Sequence, residues 1–144
     1  MREQPNPQNL IDDATQLIQA ARKGNLQDIT AIQDRHTVCD FVSLMAKPES
    51  SGYTALIWAS MNGHIETVQL LLQALHDADV NTRASVLNHR TNQGMTALLF
   101  ASGHSHAEIF APLLQAIHDA GADMQAVLNH ANMNGWTVLL NASH

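Results

Sequence analysis

The side chains best equipped for chemistry are nine histidines, one cysteine and a scatter of carboxylates. Cys39, with His36 and Asp40 nearby, holds the atoms of a thiol nucleophile and its base. Nothing in the sequence places the three in a cleft or supplies donors for an oxyanion. His104-Ser105-His106, and the pairs His76/His118 and His89/His130, could ligate a metal ion. Zinc needs three or four ligands converging at about 2 Å with a supporting second shell, and pairs separated by ~41 residues do not guarantee that. Glycine-rich phosphate loops, paired-cysteine zinc motifs and nucleophile elbows do not occur. The expectation is a chain without catalytic residues, metal or cofactor, with a histidine metal site kept as an alternative.

What must position these groups is a repeat. Gly52-Tyr53-Thr54-Ala55-Leu56-Ile57-Trp58-Ala59-Ser60 returns 42 residues later as Gly94-Met95-Thr96-Ala97-Leu98-Leu99-Phe100-Ala101-Ser102. A further 41 residues bring Gly135-Trp136-Thr137-Val138-Leu139-Leu140-Asn141-Ala142-Ser143. The match continues in Leu71-Leu72-Gln73-Ala74 against Leu113-Leu114-Gln115-Ala116, and in Val86-Leu87-Asn88-His89 against Val127-Leu128-Asn129-His130. A weaker copy precedes them: Thr15, Leu17, Ala20, Gly24 and Ile29 fall 39 positions before Thr54, Leu56, Ala59, Gly63 and Val68, with Asp13 where the glycine should stand. The whole chain, 1–144, therefore reads as a single domain of a divergent repeat 13–51, repeats 52–93 and 94–134, and a partial repeat 135–144. Because it stops inside what should be a first helix, it reads as a fragment of a longer protein, or as an end that a partner covers.

Each unit predicts two helices. Thr54 suits an N-cap, with Ala55, Leu56 and Ala59 on one narrow face. Gly63 supplies the turn, and Ile65, Val68, Leu71, Leu72 and Leu75 have the spacing of a second amphipathic helix. Neither helix buries its face alone, so stacking must close it.

The pattern G-x-T-A-L-x-x-A-S, then G-H, E, V and a Leu-Leu pair, resembles the ankyrin repeat over roughly residues 13 to 144. The resemblance implies an all-α ankyrin-repeat solenoid of stacked helix-turn-helix units with short β-hairpin turns. Two features depart from the family. Ile57, Leu99 and Leu140 occupy its histidine position, so the Thr-to-His hydrogen bond gives way to apolar contact. The period also exceeds the usual ~33 residues, and the surplus, Asp79 to Ser85 and Gly121 to Gln125, predicts extended connectors containing a longer helix or an added helical turn.

Binding rather than catalysis is then the expected function, with partners taken on the concave surface of hairpin tips and first helices, as the resemblance implies. Tyr53, Met95 and Trp136 follow the unit glycines; Gln19, Trp58, Phe100 and Asn141 share a variable first-helix position. Aromatic residues and Met often anchor interfaces, so Tyr53, Trp58, Met61, Met95, Phe100 and Trp136 form the candidate partner-binding set, with Arg90 as its polar member. Packing between repeats is the competing explanation for the aromatics, and a solvated loop charge for Arg90. Rival functions are a targeting or substrate-recognition domain of a larger enzyme or secreted effector, and the histidine metal site.

Composition narrows the partners. The 144 residues are 45% hydrophobic and 14% charged, enough apolar content for a core. A net charge of -6 argues against nucleic acid and anionic lipid. One cysteine allows no intrachain disulfide, and the polar, proline-bearing Met1 to Leu10 lacks a secretory signal. Apolar runs fall far short of the ~18 residues needed to span a bilayer. The expectation is a cytoplasmic monomer binding a protein partner, without nucleic acid or membrane insertion. The resemblance extends to ankyrin proteins that intracellular bacteria deliver into host cells, which would place it in a host cytosol.

Overall fold

Thr54 begins its helix as its sequence position suggests: its hydroxyl accepts a hydrogen bond from the Ile57 amide at 3.3 Å, satisfying one of the free donors of the first turn. The same device recurs at Thr96, whose hydroxyl accepts from the Leu99 amide at 3.1 Å. At the other end Gly63 takes φ 76°, a left-handed conformation that lets its amide return to the Ala59 carbonyl and stop the helix. Local rules of this kind set eight helices in a computed structural model that describes residues 7–103 and 107–121. They are α1 (Pro7–Lys23), α2 (Leu26–Asp34), α3 (Val38–Met45), α4 (Ala55–Asn62), α5 (Ile65–His76), α6 (Val80–Leu87), α7 (Ala97–Gly103) and α8 (Ala107–Asp119).

The helices stack in rows. α1 packs on α4 and α4 on α7, a continuous row of first helices; α5 packs on α8 behind them, with α3 against α5 and α6 against α8. This explains why α4 is less amphipathic than a surface helix should be. Ile57 and Ser60 are fully buried along with the expected Ala55, Leu56 and Ala59, because neighbours cover α4 on several sides. The buried Ser60 hydroxyl donates to the Leu56 carbonyl at 2.8 Å, so it adds no unsatisfied donor. On α5, Val68, Leu71 and Leu75 are buried as their spacing predicts, while Ile65 and Leu72 are only partly covered.

The surplus residues Asp79 to Ser85 form a separate third helix, not an extension of the second; of the other surplus, Gly121 to Gln125, all but Gly121 lies outside the described residues. α5 ends at His76, and Asp79 starts α6 by accepting from the Thr82 amide at 3.2 Å. Hydrogen bonds from Thr82 hold the Asp79 carboxyl below its ordinary range. α3 occupies the same place in the first unit, where Thr37 accepts from the Asp40 amide and Phe41, Val42, Leu44 and Met45 are buried. The third helix thus supplies core, which is how a unit longer than ~33 residues keeps its stacking.

Between units the chain makes tight hairpins. The Glu49 amide donates to the Tyr53 carbonyl (3.0 Å) and Gly52 to Glu49 (2.9 Å); Thr91 to Met95 (2.8 Å) and Gly94 to Thr91 (2.9 Å) repeat the pattern. Pairing stops after one turn, so no strand forms among the described residues. The Asn92 amide donates to the Ser51 carbonyl at 3.1 Å, tying consecutive hairpins together.

Two histidines hold units together. Nε2–H of His64 donates to the Arg22 carbonyl at 2.9 Å, beside Asn62 Nδ2 at 3.0 Å, so the end of α1 is capped from the next unit. His89 likewise donates to the Gly52 carbonyl at 2.9 Å. At the family's histidine position Ile57 and Leu99 are fully buried, as the expected apolar substitution requires.

Candidate protein-binding surface

Trp58 projects from α4 and stays only partly buried. Its indole N–H donates to Glu49 Oε1 at 3.2 Å, and that oxygen also accepts from the Ser51 hydroxyl at 2.8 Å. The Arg22 guanidinium lies 4.8 Å from the Trp58 ring centroid, a cation–π contact of about 0.5–1 kcal/mol at an exposed site. Tyr53 completes the wall. Its ring centroid is 4.8 Å from Trp58 and 5.7 Å from Phe100, tilted by 34° and 37°. Pairs of this geometry contribute about 0.5–1.5 kcal/mol beyond area burial. Trp58 is therefore held in place before anything binds.

Beside this wall lies a cleft of about 390 Å³ between α1 and the segment leading into the first hairpin. Ala14, Ile18 and Pro48 give it apolar lining; Gln19, Arg22 and Lys47 supply polar groups. Arg22 and Glu49 belong to both cleft and wall, so the two form one surface.

Of the residues singled out from sequence, the structure brings Tyr53, Trp58 and Phe100 together. Phe100 is 7% exposed and belongs to the core; its ring backs Tyr53 and offers little area of its own. Met61 and Met95 are partly buried against the core. Arg90 is exposed. Trp136, and with it Asn141, His130, His104-Ser105-His106 and the partial repeat 135–144, lies outside the described residues. Sequence reasoning missed Arg22, Lys47, Glu49 and the cleft. One signal was available: Arg22 lies 39 positions before Met61, the spacing that relates the first repeat to the second.

The Cys39-His36-Asp40 group resolves differently. His36 Nε2 lies 2.6 Å from Asp13 Oδ2, and Arg35 donates to Asp13 Oδ1 at 2.9 Å. Asp13 is inside α1, not in a turn, and it ties α1 to the α2–α3 linker. The Cys39 side chain is outside the described residues. Among the described residues, no three His, Cys, Asp or Glu side chains gather as metal ligands, and no helix is long and apolar enough to cross a membrane.

Burial pulls the Asp13 carboxyl upward, but hydrogen bonds from His36 and Arg35, with their charges, outweigh it and leave it below its ordinary 3.8. A lowered folded-state value stabilises the fold above pH 3.8, and that contribution disappears as pH falls through the lowered value. The His36 side chain is 4% exposed and loses its partner when Asp13 goes, whereas Arg35 is half exposed and adds little. Asp13→Ala should therefore cost about 1–3 kcal/mol at pH 7. Urea denaturation at pH 7 and pH 3 should show the gap from wild type narrowing at the lower pH.

Comparison with known proteins follows the same lines. A family model described as ankyrin repeats, in three copies, matches residues 2–84. No curated protein matches the sequence. Among solved structures, the fold is similar to a chain in the crystal structure of the yeast ribosomal protein Rps3 in complex with its chaperone Yar1. That match has a TM-score of 0.72 and 27% identity, covering 96% of this chain and 86% of that one. Since 264 solved chains match the fold, it selects no partner by itself.

Proposed function

Because this chain belongs to the ankyrin-repeat family, we propose that it is a protein-recognition module that holds a partner segment against Tyr53, Trp58 and the adjoining cleft. The observation that carries the reading is Trp58 itself. It is fixed by Glu49, Arg22 and Tyr53, remains partly exposed, and borders a cleft of about 390 Å³. An aromatic ring fixed in advance loses little entropy on binding, and Trp is the residue most enriched among binding hot spots. The similar yeast chain comes from a complex of a chaperone with a ribosomal protein, which supports a protein as the partner class. Rigid presentation is the mechanism: stacked units hold the surface, and the side chains on it choose the partner.

Affinity capture from lysate should separate this surface from the rest of the molecule. Trp58→Ala, with an unchanged circular dichroism spectrum, should lose its partners by about 30-fold, the effect of a hot spot worth about 2 kcal/mol. Val80→Ser, at an exposed apolar residue on α6 outside the first-helix row, should lose none. Equal recovery by both variants overturns the assignment.

A further inference from the structure

Charge is unevenly distributed over this acidic chain. The second helices carry Asp28, Asp34, Glu66, Glu108 and Asp119, and no Lys or Arg. The first helices α4 and α7 carry no charge at all. On the first-helix and hairpin side the described side chains supply cations instead: Arg22 at the end of α1, and Lys47 and Arg90 leading into the two hairpins, all exposed. Two described carboxylates on α1 and the first hairpin are already engaged. Glu49 accepts from Ser51 and Trp58, and Asp13 is held by Arg35 and His36. By contrast, among the described residues no hydrogen bond or ion pair engages the Arg22 guanidinium, which lies against the Trp58 face, or the Lys47 ammonium.

We infer that the cleft between α1 and the first hairpin takes an acidic peptide segment, with an aliphatic side chain against the exposed Pro48 and over the narrow edges that Ala14 and Ile18, 6% and 7% exposed, leave at the cleft floor, and with flanking carboxylates on Arg22 and Lys47. The volume, about 390 Å³, lies in the range of sites that enclose a few side chains. Arg22 is suited to the task because its stacked guanidinium presents a planar donor edge with little further ordering. The net charge of -6 opposes an acidic ligand at long range. At physiological salt the screening length is about 8 Å, so distant carboxylates on the second helices are muted while contact charges in the cleft are not.

This inference rests on the proposed use of the Trp58 surface, and its test separates the two. A random decapeptide library displayed on phage is selected against the full chain, against an Arg22→Glu, Lys47→Glu double variant, and against Trp58→Ala, each shown to be folded by circular dichroism. The wild type should enrich Asp and Glu around an aliphatic residue, and the double variant should switch the enrichment to Lys and Arg. Peptides from the wild-type pool should lose at least tenfold affinity on the double variant and weaken as salt rises. A neutral or basic wild-type pool, the same pool from both proteins, or no binders would overturn the inference. Peptides lost on Trp58→Ala but kept on the double variant would leave the surface standing and remove its preference for acid. Peptides indifferent to both would remove both readings.

Discussion

Replacing Gly52 with alanine should cost about 3 kcal/mol of folding stability, against about 1 kcal/mol for the same change at Gly121. Both glycines have left-handed backbones, φ 88° and 79°, so an added Cβ brings conformational strain of about 1–2 kcal/mol at either. They differ in what the Cβ meets. At Gly121 no atom of a described residue lies within 4 Å; at Gly52 it would sit 2.8 Å from the Asn92 amide nitrogen and 2.9 Å from the Thr91 Cα. These are backbone atoms of the next hairpin, which cannot rotate away as the end of a side chain could. Relief requires the two hairpins to separate, breaking the Asn92-to-Ser51 bond and the His89 bond to the Gly52 carbonyl. Guanidinium denaturation of the two variants beside wild type measures the difference. Equal losses would mean that hairpin contact contributes nothing to the stack.

The Gly52 contact also marks how far the sequence can be read. The repeat frame is read from periodicity and the Thr54 cap from local chemistry, and the structure places the cap as expected. The buried Leu71 follows too, since an i, i+3, i+4 stripe on a short helix has one face to hide. The third helix was legible only as surplus length in the second unit. In the first unit the copy is weak, since Val38–Met45 shares only Val38 and Ser43 with Val80–Leu87 42 positions on, though Thr37 as a cap and Phe41, Val42, Leu44 and Met45 as a core stripe explain it afterwards. Phe100 shows the opposite limit. Its position equals that of Trp58, but the smaller ring sinks into the core, and equivalence in sequence does not carry equivalence in exposure. Arg22 lies 25 residues before Lys47 and Glu49 follows two later, and only the fold brings α1 against that segment to form one cleft. Likewise the Asp13–His36 contact spans 23 residues, with no spacing rule to suggest it.

The adjacent leucines of the Leu-Leu pair should respond very differently to truncation. Leu71 has no exposed surface and sits on α5, which packs against α3, α4 and α8; Leu72 is only partly covered. Leu71→Ala removes three buried carbons and leaves a cavity between rigid helices, with an expected loss of about 3–4 kcal/mol. Leu72→Ala removes the same atoms from a site that water already reaches, and should cost less than half as much. The larger effect has a consequence particular to a stacked array. Stability there is a sum of unit terms and contacts between neighbours, so a cavity on α5 weakens the contact to α8 as well as the unit containing it. Urea unfolding of Leu71→Ala should then show tryptophan fluorescence and far-ultraviolet circular dichroism departing from a common transition, because the two halves no longer unfold together. Coincident transitions with an unchanged dependence on urea would mean that the units stay fully coupled despite the cavity, and that cohesion comes from the hairpins and the first-helix row rather than from the second helices.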